Sequence, residues 1–171
     1  PANDYNTWWP PGAAAPDPAK AKLYPGVTIV RDAKFGPNAK DLVDIPDSVK
    51  KNLDMAQRLY SAAAQKGNAK AMHNLAVLHA EGAQGKPDYK TAAQWFRKAA
   101  ERGVADSQYN LGILYARGIG VEQNLAESYK WFTLAAAQGD ADAATKRDDV
   151  AKRLDPQSLA AAKLAIQTFS A

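Results

Sequence analysis

From residue 52 onward the chain repeats itself every 36 residues, and this period constrains the fold more than any other feature. NLDMAQRLYSAAAQKGN from 52, DYKTAAQWFRKAAERGV from 88 and NLAESYKWFTLAAAQGD from 124 align without a gap. The matched columns are Leu59/Trp95/Trp131, Tyr60/Phe96/Phe132, Ala63/Ala99/Ala135, Ala64/Ala100/Ala136 and Gly67/Gly103/Gly139. A second set lies between them: AKAMHNLAVLHAEG from 69 and ADSQYNLGILYARG from 105. A fixed period in this range is the mark of a helical solenoid, in which each unit buries its apolar face only against its neighbours.

Each column suits a helix-turn-helix unit. Leu75, Leu78 and His79 match Leu111, Leu114 and Tyr115, at the i, i+3, i+4 spacing of one helix face. Ala76 and Gly112 are small enough to let the next helix approach. In the second helix the aromatic pair fills the space between helices, and the alanine pair allows close antiparallel packing. Asp88 and Asn124 are placed as N-caps. Gly67, Gly103 and Gly139, with Gly82 and Gly118, are placed for the left-handed residue that ends a helix. The aromatics are therefore expected in the core.

The ends have a different grammar. Residues 1–47 contain eight of the ten prolines, and PANDYNTWWPPGAAAPDPAK cannot be helical. This stretch is expected to be a Pro-rich extended arm, with Trp8 and Trp9 as anchors that seek an apolar surface, on the repeats or on a partner. Val27–Val30 is β-prone, with a turn signal at Phe35-Gly36-Pro37-Asn38. Residues 48–154 are expected to hold a half-repeat, two full repeats and a polar capping helix, in which Arg147-Asp148 replaces the apolar pair of the repeat. Residues 155–171 form a C-terminal capping helix. Asp155-Pro156 starts it, and Leu159, Ala162, Ile166 and Phe169 form its stripe. The fold class is all-α: an α/α solenoid with an irregular N-terminal extension.

Composition excludes several functions. There is no cysteine, which removes thiol nucleophiles, disulfides and cysteine zinc sites. The net charge of +4 is dispersed, with no more than two adjacent basic residues, unlike the concentrated basic stripe of a nucleic-acid binder. No apolar run is long enough to span a bilayer. The only histidines, His73 and His79, lie six apart, not at the i, i+4 spacing of a helical metal pair. There is no Walker motif and no G-x-G-x-x-G, and Gly118-Ile119-Gly120 reads as a repeat turn. No cofactor, metal or small-molecule substrate is expected. The sequence opens on Pro1 rather than methionine, as expected of a processed protein or a fragment.

The repeat motif resembles the Sel-1-like repeats, relatives of the tetratricopeptide repeat. It runs S-x-x-x-L-G-x-L-Y-A-x-G-x-G-V from Ser107 to Val121, then E-x-x-x-W-F-x-x-A-A-x-x-G from Glu127 to Gly139. The family usually has alanine at both leading positions, and AQGKPDY replaces its usual turn in the copy at 69–87. Residues 52–171 are also similar to the C-terminal repeat region of PodJ-type polar localisation factors of alphaproteobacteria. Those lie in the periplasm and serve as protein-interaction modules, so the resemblance implies a periplasmic location in the bacterial envelope. Residues 23–45 loosely resemble the entry strands of α/β-hydrolase esterases. None of Ser48, Ser61, Ser107, Ser128, Ser158 and Ser170 sits in the G-x-S-x-G frame such an enzyme needs.

The expected function is thus a non-enzymatic protein–protein interaction scaffold that binds a partner protein or extended peptide. The alternative is an accessory subunit of a larger membrane-associated complex, lashed to its neighbours by the Trp-rich arm. By analogy with tetratricopeptide repeats, the first helices line a groove. Its candidate lining is His73, Asn74, Val77 and Glu81, then Tyr109, Asn110, Ile113 and Arg117, then Lys146 and Arg153. Asn74 and Asn110 share a column and suit hydrogen bonding either to the backbone of an extended peptide or locally between helices.

Overall fold

The computed structural model describes residues 47–82 and 86–169, with side chains from Met55 onward. The expected arm, with Trp8, Trp9 and the β-prone run, lies outside the described residues but for Asp47.

The described residues form helices and turns, with no strand among them. In chain order they are α1 (Asp47–Gln65), α2 (Ala69–Glu81), α3 (Tyr89–Glu101), α4 (Ala105–Arg117), α5 (Leu125–Ala137), α6 (Ala141–Ala151) and α7 (Pro156–Gln167). Each helix packs on the next through α6, and α7 turns back onto α5. In the two complete units α2 and α4 are first helices, and α3 and α5 are second helices. The half-repeat α1 is a second helix with no first helix before it among the described residues, and α6 is a first helix that α7 follows.

The helix ends follow from the residues at them. Asn68, Asp88, Asn124, Asp140 and Asp155 are N-caps, each accepting a hydrogen bond from the backbone N–H three residues on. Val104, before α4, makes no side-chain cap. Gly67, Gly103 and Gly139 have φ of 93°, 89° and 101°, as their column predicts. There the turn between units is closed by one pair of bonds, repeated every 36 residues. In the second unit Gly103 N–H donates to Ala100 O at 3.0 Å and Val104 N–H to Ala99 O at 3.1 Å. The turn within a unit also recurs. Asp88 N–H donates to His79 O at 2.8 Å, and Asn124 N–H to Tyr115 O at 2.9 Å. The different loop in the first unit therefore leaves the entry to its second helix unchanged.

The core is the interface between helix layers. Phe96, Trp131, Phe132, Leu75, Leu111 and Leu114 are buried, with Ala92, Ala99, Ala100 and Ala135 as the small residues that admit them. The Leu59/Trp95/Trp131 column shows how a solenoid fills from its middle. Leu59 is 67% exposed, Trp95 is half-buried under Lys98, and Trp131 is fully buried. The reason is the number of neighbours. α5 has helices on both sides, and Phe169, beyond α7, meets the Trp131 ring edge-on at 5.6 Å. Ala162 is buried, and Leu159 and Ile166 pack partly buried against the same core. In α6 only Ala143 and Val150 are buried, as expected where charge replaces the apolar pair.

Candidate functional site

The 36-residue period carries each inner-face position from one first helix to the next. Asn74, Asn110 and Lys146 form one column, and Glu81, Arg117 and Arg153 form another. Beside them run His73 with Tyr109 and Val77 with Ile113. The solenoid thus brings the candidate residues onto one face of α2 and α4, continued at α6 and the turn after it.

The face is not an open groove. Tyr109, Asn110, Ile113 and Arg117 are each no more than 2% exposed, and Val77 and Glu81 are buried too. This corrects the expectation that these side chains face solvent. His73, Asn74, Lys146 and Arg153 are half-buried. Part of the cause is local. Tyr109 meets Phe132 of α5 at 5.7 Å between ring centroids, and Lys146 Nζ lies 5.6 Å from its ring. An ammonium over an aromatic face is held by the ring quadrupole.

His73 is committed to the structure. Its Nδ1 and the hydroxyl of the buried Ser107 share a hydrogen bond of 2.7 Å, and its ring lies 5.6 Å from Phe96. Burial lowers its pKa below the usual histidine value, and the nearby Asp106 carboxylate offsets this only in part. Ser107 was not foreseen as a partner. Its column mate is Ala71, and only the packing of α2 beside α4 brings Ser107 to His73.

Glu81 is a buried, desolvated carboxyl. Its side chain is buried, Oε1 makes no hydrogen bond, and desolvation pushes its pKa up to about 8. Arg117, buried on the neighbouring first helix, occupies the same column. Column position alone marked Glu81 as a groove residue, while its desolvation depends on the surrounding packing.

Elsewhere a cleft of about 660 Å³ opens where α2 turns toward α3, lined by Gln57, His79, Lys86, Pro87, Asp88, Tyr89 and Lys90. Burial lowers the His79 pKa, opposed by Asp88, whose carboxylate is itself held low chiefly by the Thr91 N–H. Among the described residues no three histidine or acidic side chains are grouped to hold a metal ion. No described helix is long and apolar enough to cross a membrane.

The Sel1 repeat profile matches residues 46–68, 69–104 and 105–140, in unbroken succession. The chain belongs to the Sel1 repeat family. Its match boundaries fall at the inter-unit turns described above. Two solved structures share the fold. One is c5321, described as a protective antigen present in uropathogenic Escherichia coli strains and displaying an SLR fold. It is 33% identical, with a TM-score of 0.61 over 66% of this chain and 24% of that one. The other is a Sel1 repeat protein from Oxalobacter formigenes, 35% identical, with a TM-score of 0.52 over 53% of this chain and 26% of that one. This Sel1 chain thus spans about a quarter of the length of either. No curated protein matches it in sequence. Sel1 repeats generally mediate protein–protein interaction, and the fold is typically a non-enzymatic scaffold.

Proposed function

We propose that this Sel1 protein is a non-enzymatic scaffold that binds a partner protein, or an extended peptide from one, along the inner face of α2, α4 and α6. The observation that carries the reading is the polar ladder Asn74/Asn110/Lys146, which crosses all three first helices beside Val77 and Ile113. An asparagine amide offers both a donor and an acceptor, which suits the backbone of an extended chain. The periplasm of the bacterial envelope is part of the proposal. It is supported by the likeness of residues 52–171 to the PodJ-type repeat region.

A photo-crosslinking amino acid tests the site. Placed at His73 or Lys146, it should capture a defined partner from envelope extracts. Placed at the exposed Gln94 or Ala137 of the second helices, it should capture none. Equal capture from both positions overturns the inner face as the site.

A second reading, the accessory subunit of a larger complex, is favoured by one feature. Met55 and Leu59 on α1 are 60% and 67% exposed, in a helix whose equivalents are covered by a preceding unit. A neighbouring subunit seated there would complete the half-repeat. Crosslinkers at Met55 distinguish this from inner-face binding.

A further inference from the structure

The cleft of about 660 Å³ between α1, the end of α2 and the start of α3 has a one-sided charge. Lys86 and Lys90 line it and are exposed, and among the described residues neither ammonium makes an ion pair. Asp88 is the acid of the lining. Its carboxylate accepts the Thr91 N–H at 3.0 Å as the cap of α3. His79 is half-buried, and burial favours its neutral ring, which can donate a hydrogen bond without adding charge.

The second unit shows the same place filled by the chain itself. There Tyr115 is buried, and the Arg97 guanidinium lies 5.4 Å from its ring centroid. The same guanidinium is 3.5 Å from the Glu127 carboxylate, and the Gln123 amide donates to the Ala116 carbonyl at 3.0 Å. One period earlier the positions of Tyr115, Arg97, Glu127 and Gln123 hold His79, Ser61, Thr91 and Pro87, each of them smaller. Lys86 and Lys90 stand where the second unit has Glu122 and Ala126. The first unit thus lacks the side chains that fill the second, and beside the space it carries the opposite charge.

We propose that this cleft binds an acidic peptide segment of a partner protein, with a carboxylate held by Lys86 and Lys90 and an apolar side chain against Pro87 and Tyr89. Charge complementarity selects the acid. Size selects a peptide over a single inorganic anion, because the volume lies within the roughly 300–1,000 Å³ of ligand pockets. The Gln57 amide, on the α1 wall, supplies a donor and an acceptor for a peptide backbone. This site is separate from the inner face of α2, α4 and α6, and it does not rest on the reading of that face.

The test is a nuclear magnetic resonance titration of the full isotope-labelled chain with the peptide acetyl-Gly-Phe-Glu-Glu-Phe-Gly-amide. The signals of His79, Tyr89 and Lys90 should shift along a saturable curve, while those of Asn110 and Lys146 stay in place. The analogue with both glutamates replaced by glutamine should bind about tenfold more weakly. Lys86→Gln/Lys90→Gln should lose about tenfold as well, as two partly exposed charge pairs allow. Lys66→Gln/Lys70→Gln removes the same charge from exposed positions outside the lining, and at about 0.15 M salt it should change affinity less than about twofold. Equal loss in the two double variants would reduce the attraction to net charge and overturn the proposal. Equal binding of the glutamine analogue overturns it too, as does the absence of saturable shifts up to about 10 mM peptide. If inorganic phosphate reproduces the shifts with the same midpoint, the site takes a small anion and the peptide proposal falls. Movement of Asn110 and Lys146 in place of the cleft residues would move the peptide to the inner face, which sinks this site and supports that one.

Discussion

Gly112 of α4 lies directly against the ring of Phe132 of α5. A Cβ built at Gly112 would stand 2.8 Å from two ring carbons. The same contact is locked from the side, where the Ser128 hydroxyl donates to the Gly112 carbonyl at 2.7 Å. The position equivalent to Gly112 in the first unit is Ala76, also fully buried. The two units therefore differ by one methyl at this helix contact.

Gly112→Ala is accordingly expected to lower the stability of the protein or leave it unchanged. Alanine gains about 1 kcal/mol of helix propensity over glycine. Forcing a methyl into a packed contact costs about 1–3 kcal/mol, so the net change is a loss or close to neutral. A lower thermal midpoint checks it, and a clear rise would show that α4 and α5 can part without cost. Ser128→Ala should cost about 1 kcal/mol by removing a buried hydrogen bond, read by denaturant titration.

The Leu59/Trp95/Trp131 column predicts a gradient along the solenoid. Trp131→Ala should cost about 3–5 kcal/mol, because the ring is fully buried. Leu59→Ala should stay within about 0.5 kcal/mol as a surface change. Trp131→Phe should be milder than Trp131→Ala, since the buried indole Nε1 makes no hydrogen bond that would be lost. Urea unfolding of the three variants ranks them, and equal costs would contradict the packing described.

At Gly139 the backbone alone sets the penalty. Its φ is 101° and no atom lies within 4 Å of a Cβ placed there. Gly139→Ala should therefore cost about 1–2 kcal/mol from the left-handed conformation, and Gly139→Asn less, because asparagine tolerates that region. An unchanged midpoint for the alanine variant would mean that the turn relaxes.

Glu81 predicts a pH dependence. Its pKa rises from 4.5 in the unfolded chain to about 8 in the folded one. Between those values the folded state holds the proton that the unfolded state has lost, so stability falls as pH rises, by at most about 1.4 kcal/mol per unit. The loss is absent below about 4.5 and complete above about 8. Glu81→Gln should flatten this slope and stabilise the protein at high pH, read from unfolding curves between pH 5 and 9 (about the window those two values define). His73 acts oppositely and lower. With its folded pKa depressed by burial, it costs stability as pH falls below 6.5.

The period, the caps and the glycine turns were legible in the sequence because each depends on contacts within a few residues. Asp88 caps α3 and Gly103 takes positive φ whatever lies across the molecule. The membership of each column was legible too, since identical units stack identically. How deeply each member is buried was not. Leu59 and Trp131 occupy one column, yet one is exposed and the other sealed, because burial depends on how many neighbours a unit has. The inner face shows the same limit. Periodicity placed Asn110, Ile113 and Arg117 on it, but only the assembled helices show that they are enclosed, that His73 is tied to Ser107, and that Glu81 is desolvated. Repetition in sequence fixes direction along a helix. Exposure and pKa are properties of everything packed around it, which the tertiary structure alone decides.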